Sequence, residues 1–260
     1  MKYRVAQYEE KYQQAVTELI LLIQQIEFNV PITIEDQPDL QNVNSFYVKG
    51  NGNFWLAFHQ DKVVGTIALI DIGNDQVTLR KMFVDAGHRG KESGVAQLLF
   101  DALIDWCVKQ QVKEIFLGTI DTMRAAHRFY SKNGFTQIPK ASLPINFPIM
   151  RVDTIFFKRE VDQTIYHITP LTRWNKFSTS DGYESDSLSD EGFIHCSTRK
   201  QVKPVLERYY ANETGLVLLH VNPALLTSEL KYEVATHGEF YPHVFGKINK
   251  EAIFKVEQLR

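Results

Sequence analysis

The sequence predicts an α/β chain in two parts, a mixed β-sheet flanked by helices and then a smaller α+β domain. Three observations favour this fold class. Runs of β-forming residues alternate with runs of helical periodicity over residues 1–160. Two glycines, Gly90 and Gly94, separate a predicted strand from a predicted helix. The composition changes near residue 161, after which lie five of the eight histidines.

Length and charge narrow the class of protein. The 260 residues are 44% hydrophobic and 23% charged, as in ordinary globular chains, and they suffice for two domains that each bury a core. Lysine and arginine total 29 against 31 aspartates and glutamates. This near balance gives no general signal for binding nucleic acid or an acidic membrane.

We expect a cytoplasmic protein without a membrane span. The longest aliphatic run, Leu19 to Ile23, is far too short to cross a bilayer. The first ten residues contain two glutamates and no apolar core, which is unlike a signal peptide. Cys107 and Cys196 are far apart in sequence and fall in different predicted domains, which favours a reducing compartment over a disulfide framework.

The elements of the first part follow from periodicity. Val16, Leu19, Ile20, Ile23 and Ile26 have helical spacing, and a second helical run follows the glycine turn. Asn133-Gly134 is a helix stop signal. The predicted strands are 3–7, 54–59, 63–72, 76–85, 114–120 and 152–157, and the predicted helices are 11–28, 93–110 and 122–132.

The glycine turn RGKESGVAQLL, residues 89–99, has the parts of a phosphate-binding loop. A helix start presents unpaired N–H groups and the positive end of the helix dipole, and glycines let an anion approach the backbone. Arg89 and Lys91 add charge, and Ser93 either caps the helix or donates its hydroxyl to an oxygen. The spacing matches neither GxGxxG nor GxxxxGK[ST], so a plain turn with two glycines remains an alternative at this point.

Two motifs resemble the GCN5-related N-acetyltransferase (GNAT) superfamily. The first is LRKMFVDAGHRGKESGVAQLLFDAL, whose Arg-Gly-rich turn is one or two residues longer than the commonest form. The second is AAHRFYSKNGF, at residues 125–135. The resemblance covers about residues 1–160 and implies a GNAT-like mixed sheet that binds acetyl-CoA. The implied contacts to its pyrophosphate come from the turn and the helix start: Arg89, Gly90, Lys91, Ser93, Gly94, Val95 and Ala96.

The same resemblance implies acetyl transfer from acetyl-CoA to an amine. Tyr130 falls where a tyrosine often protonates the leaving thiolate. The backbone of Met82, Phe83 and Val84 would pair with the pantetheine arm and offer an N–H near the thioester. The substrate is a small-molecule or macromolecular amine, chosen by the loops at 29–50 and 139–150. No general base is assigned, because Asp71, Asp85 and Glu35 are candidates only by their acidity.

The second domain, 163–260, embeds polar residues in strand-like segments: His167, His195, Ser197, Glu233 and His243. Polar groups in apolar segments need specific partners, so they mark a site or a buried network. Three interpretations stay open. A zinc site would use His195, Cys196, His237 or His243, but the usual close ligand pairs are missing, and we predict no metal. The second interpretation is a Cys196 nucleophile with a histidine base, and the third is a ligand pocket.

The motifs IYHIT, GFIHCST, KYE and YPHVFG resemble a bacterial family known as domain of unknown function 952. The resemblance covers residues 163–260. The fold of this family is similar to that of ADP-ribosyltransferases, in which a His or Arg, a Ser or Tyr and a Glu hold NAD. This analogy implies that His167, a residue of the GFIHCS strand and Glu233 bind NAD.

The sequence therefore predicts an N-acetyltransferase fused to a nucleotide-binding or ADP-ribosyltransferase-like domain. The alternative is a module that binds coenzyme A or a nucleotide without turnover, acting as a sensor.

Overall fold

The computed structural model describes residues 2–177, 180–235 and 238–259. The chain divides into two compact units, Met1–Asp162 and Gln163–Arg260. Within the described ranges, no helix has both the length and the apolar character that crossing a bilayer requires.

The first unit is built on one mixed sheet. Its strands are β1 (Arg4–Gln7), β2 (Asn53–His59), β3 (Lys62–Gly73), β4 (Gln76–Val84), β5 (Glu114–Thr119), β6 (Thr136–Ile138) and β7 (Ile155–Glu160). Their order across the sheet is β1-β2-β3-β4-β5-β7-β6. Strands β4 and β5 run parallel, and the other neighbours run antiparallel.

Helices cover both faces of this sheet. They are α1 (Gln13–Leu21), α2 (Pro38–Gln41), α3 (Val43–Tyr47), α4 (Val95–Lys109) and α5 (Arg124–Lys132). Helix α4 buries Val95, Leu99, Leu103 and Cys107, which are four residues apart and so share one face. That face packs with Val77 and other residues of β2–β5 in one core. Helices α1 to α3 pack on a second core with Phe54 and Leu56.

The predicted fold class is confirmed, and the differences are one interrupted helix, one short strand and the start of one helix. The single predicted helix 11–28 is a 3-10 turn, then α1, then a π-helical turn at Leu22–Glu27. Strand β6 is absent from the prediction because it has only three residues, too few to show alternation. The predicted helix start at Ser93 is wrong by two residues, since Gly94 is the N-cap and α4 begins at Val95.

The second unit contains small antiparallel sheets. Its strands are β8 (Ile165–Pro170), β9 (Gly182–Tyr183), β10 (Ile194–His195), β11 (Leu216–Val221), β12 (Glu229–Val234), β13 (Phe240–Phe245), β14 (Ile248–Asn249) and β15 (Ile253–Gln258). They pair as β10-β13-β12, β15-β11-β8 and β14-β9. Its helices are α6 (Leu171–Phe177), α7 (Asp186–Asp190) and α8 (Arg199–Tyr209). The core joins the sheets through Ile165, Ile194, Leu219 and Val244.

Candidate functional site

Strands β4 and β5 part halfway along the sheet. Their pairing covers only Gln76–Thr78 of β4 against Glu114–Phe116 of β5. Beyond this point β4 continues to Val84 and β5 continues to Thr119. The two strands therefore diverge, and a cleft opens whose walls carry backbone groups that the sheet does not use. Such free strand edges can pair with an extended ligand.

A β-bulge shapes the β4 wall of this cleft. The register with β3 shifts between Thr66 and Ala68, and Lys81 has a positive φ of 49°. The Thr66 hydroxyl donates to the Lys81 carbonyl at 2.6 Å. After the bulge, Met82 packs on the core under α4 and Phe83 on the core under α1–α3. A bulge re-aims side chains at the point where pairing ends.

The glycine turn lies at the end of the β4 wall. Gly90 and Gly94 have positive φ values of 92° and 66°, and a Cβ placed on either would meet no atom within 4 Å. The turn is therefore open, and both positions favour glycine for conformational reasons. Gly94 provides no side-chain cap, and the amides of residues 95–97 make no backbone hydrogen bond within the described chain. These N–H groups are available to an anion.

The charged residues of the turn differ in their surroundings. Arg89 donates from Nε to the Val84 carbonyl at 2.6 Å, and its Nη1 lies 2.7 Å from Glu27. These contacts fix the turn to the end of β4 and to the π-helical turn. Lys91 is exposed, and Ser93 lies in the turn rather than at the N-cap. Capping by Ser93, one of the two predicted roles, is therefore not formed, because the chain enters the helix through Gly94.

Tyr130 ends α5 within an aromatic cluster. Its ring centroid lies 5.6 Å from that of Phe135 and 6.0 Å from that of Phe157. Phe157 of β7 pairs with Leu117 of β5, so this aromatic cluster lies next to β5. Burial raises the pKa of the Tyr130 hydroxyl well above its usual value, which keeps it protonated at neutral pH. No hydrogen bond joins this hydroxyl to another described residue, and it is not among the fully enclosed polar atoms that lack a partner.

A network of buried charges lies on the sheet face that α2 and α3 cover. Arg80 Nη1 lies 3.5 Å from Asp153 Oδ2, and Lys81 Nζ lies 3.0 Å from Asp39 Oδ2. Arg80 also donates to the Pro148 carbonyl. All four charged side chains are only 5–19% exposed. Burial lowers the pKa of Lys81, and Asp39 opposes this shift.

Neighbouring groups tighten this network. Lys81 Nζ also donates to Gln37 Oε1 at 2.7 Å, and the Tyr47 hydroxyl donates to Asp39. Asp153 lies over β5 at Gly118, where an added Cβ would fall 2.4 Å from Oδ2. Gly118 is therefore required by the close approach of this carboxylate rather than by its φ.

Nothing in the sequence indicates this network, because its members are spread from residue 37 to residue 153 and form no motif. The acids singled out by sequence have different contacts. Asp71 accepts from the Asn51 and Gly73 amides, and Asp85 accepts from the Gly87 amide. Both carboxylates thus organise turns. A separate cavity of about 550 Å³ lies at the opposite end of β4 and β5, beside Gln76 and Glu114.

In the second unit, His167 is a buried strand residue with two protein partners. Its Nδ1 lies 2.7 Å from the His195 carbonyl, which can only accept, so Nδ1 carries the proton. Nε2 faces the Tyr183 hydroxyl at 3.0 Å. Burial lowers the pKa of His167 to about 4, which keeps the ring neutral. Ser197 is buried beside it and exchanges backbone hydrogen bonds with Tyr166.

The remaining predicted residues of this unit meet around Phe193. The His243 ring stacks on Phe193 with centroids 4.2 Å apart, and the His195 ring stands edge-on to His243 at 5.1 Å. Glu233 Oε2 lies 2.8 Å from His243 Nδ1, and Glu191 Oε1 lies 3.1 Å from His195 Nε2. Two imidazoles, each beside a carboxylate, thus share one aromatic side chain.

The surroundings of Cys196 and of the candidate zinc ligands bear on two of the three interpretations of this unit. Cys196 is buried, and burial raises the pKa of its thiol, so it lacks the thiolate that a nucleophile requires. His237, one candidate zinc ligand, lies outside the described residues. Among those described, no group of three His, Cys, Asp or Glu side chains is arranged to hold a metal ion.

Comparison with known proteins matches both parts of the chain. The acetyltransferase (GNAT) family model matches residues 18–135, and the model of a protein of unknown function, DUF952, matches residues 168–256. The crystal structure of a GNAT-family acetyltransferase from Staphylococcus aureus Mu50 is 40% identical, with a TM-score of 0.59. The alignment covers 62% of this chain and 99% of that one. The chain therefore belongs to the GNAT acetyltransferase family and carries a DUF952 domain after it.

Two further relatives are also named as acetylating enzymes. An acetyltransferase from Streptococcus agalactiae 2603 is 26% identical, with a TM-score of 0.59, over 62% of this chain and 99% of that one. The N-acetylaspartate synthetase of Xenopus tropicalis is 34% identical over 102 residues, which are 38% of this chain and 37% of that protein. The chain thus spans little more than a third of the length of this curated relative.

Proposed function

We propose that the first unit transfers an acetyl group from acetyl-CoA to an amine by direct attack. The observation that carries this proposal is the parting of β4 and β5 beside an open glycine turn at the start of a long helix. A free strand edge suits the amide-bearing pantetheine arm, and unpaired helix amides suit a pyrophosphate.

Each predicted contact has a role in this proposal. The amides of Val95 and Ala96, with the turn at Gly90 and Gly94, hold the pyrophosphate. Lys91 and the Ser93 hydroxyl add contacts from the turn, while Arg89 keeps the turn fastened to β4. The backbone of 82–84 pairs with the pantetheine arm and directs an N–H at the thioester oxygen. This donor stabilises the oxyanion that forms during attack.

Tyr130 supplies a proton in the last step. The neutral amine attacks the thioester carbon, so a C–N bond forms and the carbonyl oxygen becomes an oxyanion. When the oxyanion collapses, the C–S bond breaks and the thiolate takes the hydroxyl proton of Tyr130. A tyrosine hydroxyl is protonated at neutral pH, and burial raises the pKa of this one further. The amine loses its own proton to a base that we leave unassigned, and that proton restores the Tyr130 hydroxyl once the thiol has left.

The names of the relatives support an amine acceptor. The Xenopus relative is named N-acetylaspartate synthetase, and another, from Homo sapiens, is named N-acetyltransferase 8B. We place the reaction in the cytoplasm, because Cys107 and Cys196 are both unpaired. The test follows thiol release from acetyl-CoA across a panel of amines. Acetyl-CoA-dependent product supports the enzyme; binding without turnover on any amine supports the sensor, and no binding refutes both.

For the second unit we propose a nucleotide-binding role, with NAD as the first ligand to test. The supporting observation is the group of His195, His243 and Glu233 around Phe193, which offers an aromatic surface and polar atoms. His167 and Ser197 lie behind this group and hold its strands. Calorimetry with NAD and assay of nicotinamide release separate a transferase from a binding module. Failure to bind NAD contradicts the proposal.

A further inference from the structure

The charge network of Asp39, Arg80, Lys81 and Asp153 is unusual because it is buried. Removing paired charges from water is costly, and their mutual attraction often does not recover this cost. Arg80 and Lys81 are successive residues of β4, and the bulge at Lys81 lets both find partners at the same place. Arg80 acts electrostatically on Tyr47 and on Lys81, which both contact Asp39. Two cations therefore stand beside two anions at the point where the cleft opens.

The network is next to the proposed thioester position. Lys81 directly precedes the 82–84 segment, and Arg80 reaches Asp153, which lies over Gly118 of β5. The pair of Arg80 and Asp153 thus connects the two diverging walls.

Two donors in the network have capacity left over. A guanidinium has five N–H donors, and Arg80 uses them on the Pro148 carbonyl and on Asp153, the latter at 3.5 Å. Thr78, two residues earlier on the same strand, is fully buried, and its hydroxyl has no hydrogen-bond partner within the described chain. Residues two apart share a face of a strand, so both donors face the same side. Buried polar groups without partners are rare, and this one needs an explanation.

Asp39 has spare acceptor capacity nearby. An ionised carboxylate has about four lone-pair sites. The Asp39 carboxylate accepts from the Tyr47 hydroxyl and from Lys81, so some of these sites remain available. The N–H groups of an amine are suitable donors for them. The network therefore offers donors for an anion at Arg80 and acceptors for the N–H groups of an amine at Asp39.

We propose that the acceptor is a small zwitterionic amino carboxylate, such as a free amino acid, rather than a lysine of a protein. The carboxylate of this acceptor binds Arg80 on the face of β4 that also carries Thr78, and its amino group lies beside Asp39. This inference rests on the proposed acetyl transfer. Here Arg80 and Asp39 are binding residues that set substrate choice, and the step at the thioester is unchanged.

The test uses the wild-type chain and a matched acceptor series, so it does not depend on whether a variant folds. Free amino acids are compared with their primary amides, with the amines that lack the carboxylate, and with a lysine peptide blocked at both ends. We expect kcat/KM to fall about 100-fold or more when the carboxylate is removed, because a site built for a group rejects analogues without it. Equal rates for amino acid and amide, or a preference for the peptide, overturn the inference.

Arg80 variants supply a second readout. Arg80→Lys keeps the charge but loses the planar fork, and Arg80→Met loses both. We expect KM for the amino acid to rise in the order wild type, Lys, Met, while the Kd for acetyl-CoA stays within about twofold. A KM that does not change in either variant contradicts the assignment. Failure of acetyl-CoA to bind or to react with any amine refutes the proposed function itself, whereas turnover that ignores the carboxylate refutes only this inference.

Discussion

The change Gly94→Glu tests whether the start of α4 holds a phosphate group. Gly94 has a φ of 66°, and a Cβ there meets nothing within 4 Å. Any side chain at this position therefore costs about 1–2 kcal/mol of conformational strain but causes no clash. Gly94→Gln carries the same strain and nearly the same shape as Gly94→Glu, so it is the matched control. The difference between the two variants isolates one negative charge.

The size of that difference follows from Coulomb's law. Two unit negative charges about 6 Å apart, with an effective dielectric constant of about 20, repel by about 3 kcal/mol. This energy corresponds to a roughly 100-fold weaker affinity. Because the turn is open to solvent, salt screens part of the repulsion, and we expect the difference to shrink between about 0.05 M and 0.5 M salt.

Isothermal titration calorimetry with acetyl-CoA measures the effect, and thermal unfolding shows that both variants are folded to a similar extent. We expect Gly94→Gln to bind within about tenfold of wild type and Gly94→Glu to bind about 100-fold more weakly than Gly94→Gln. If the two folded variants bind acetyl-CoA equally well, the phosphate does not lie at this turn.

Three further predictions concern single side chains. Tyr130→Phe should lower kcat about 100-fold or more, with little change in the Kd for acetyl-CoA, because the variant loses only the proton of the hydroxyl. Pre-steady-state kinetics measures both quantities, and an unchanged kcat argues against the acid role. Gly118→Ala should raise KM for the acceptor and destabilise the first unit by about 1–3 kcal/mol in urea unfolding, because the alanine Cβ would meet the Asp153 carboxylate. A KM equal to that of the wild type would show that the Asp153 carboxylate moves freely. The pKa of His167 falls from 6.5 to about 4 on folding, so the unfolded chain binds a proton that the folded chain excludes. The free energy of unfolding of the second unit should therefore decrease by about 3 kcal/mol as the pH falls from 7 to 4, and His167→Gln should remove this part of the pH dependence.

The parts of the candidate site that the sequence could indicate are local. Gly90 and Gly94 lie within one turn, and Tyr130 lies within one helix end, so a short stretch of residues carries each signal. The helix begins at Val95 instead of Ser93 because a glycine at positive φ can form an N-cap without a side-chain oxygen. Periodicity alone does not contain that backbone conformation.

The buried charge network depends on contacts between residues far apart in the chain, which sequence spacing does not indicate. Lys81 meets Asp39, and Arg80 meets Asp153, only because a bulge turns β4 and because helix α2 and the loop before β7 fold onto the same face. In the second unit, the polar set predicted as one pocket lies in two adjoining environments, joined where His167 Nδ1 donates to the His195 carbonyl. His167 and Ser197 are buried in backbone-linked strands, whereas His195, His243 and Glu233 gather around Phe193. Alternation along a strand assigns faces, but it does not tell which strands become neighbours.

Hydrogen–deuterium exchange of the wild-type chain with and without acetyl-CoA tests the central claim most directly. The account predicts slower exchange of amides in two separate segments, residues 90–97 at the turn and 80–84 on the β4 wall. Peptides from 53–59, on the paired strand β2, serve as the internal reference and should not change. Binding that leaves both segments unprotected, or that protects only segments elsewhere, would contradict the account.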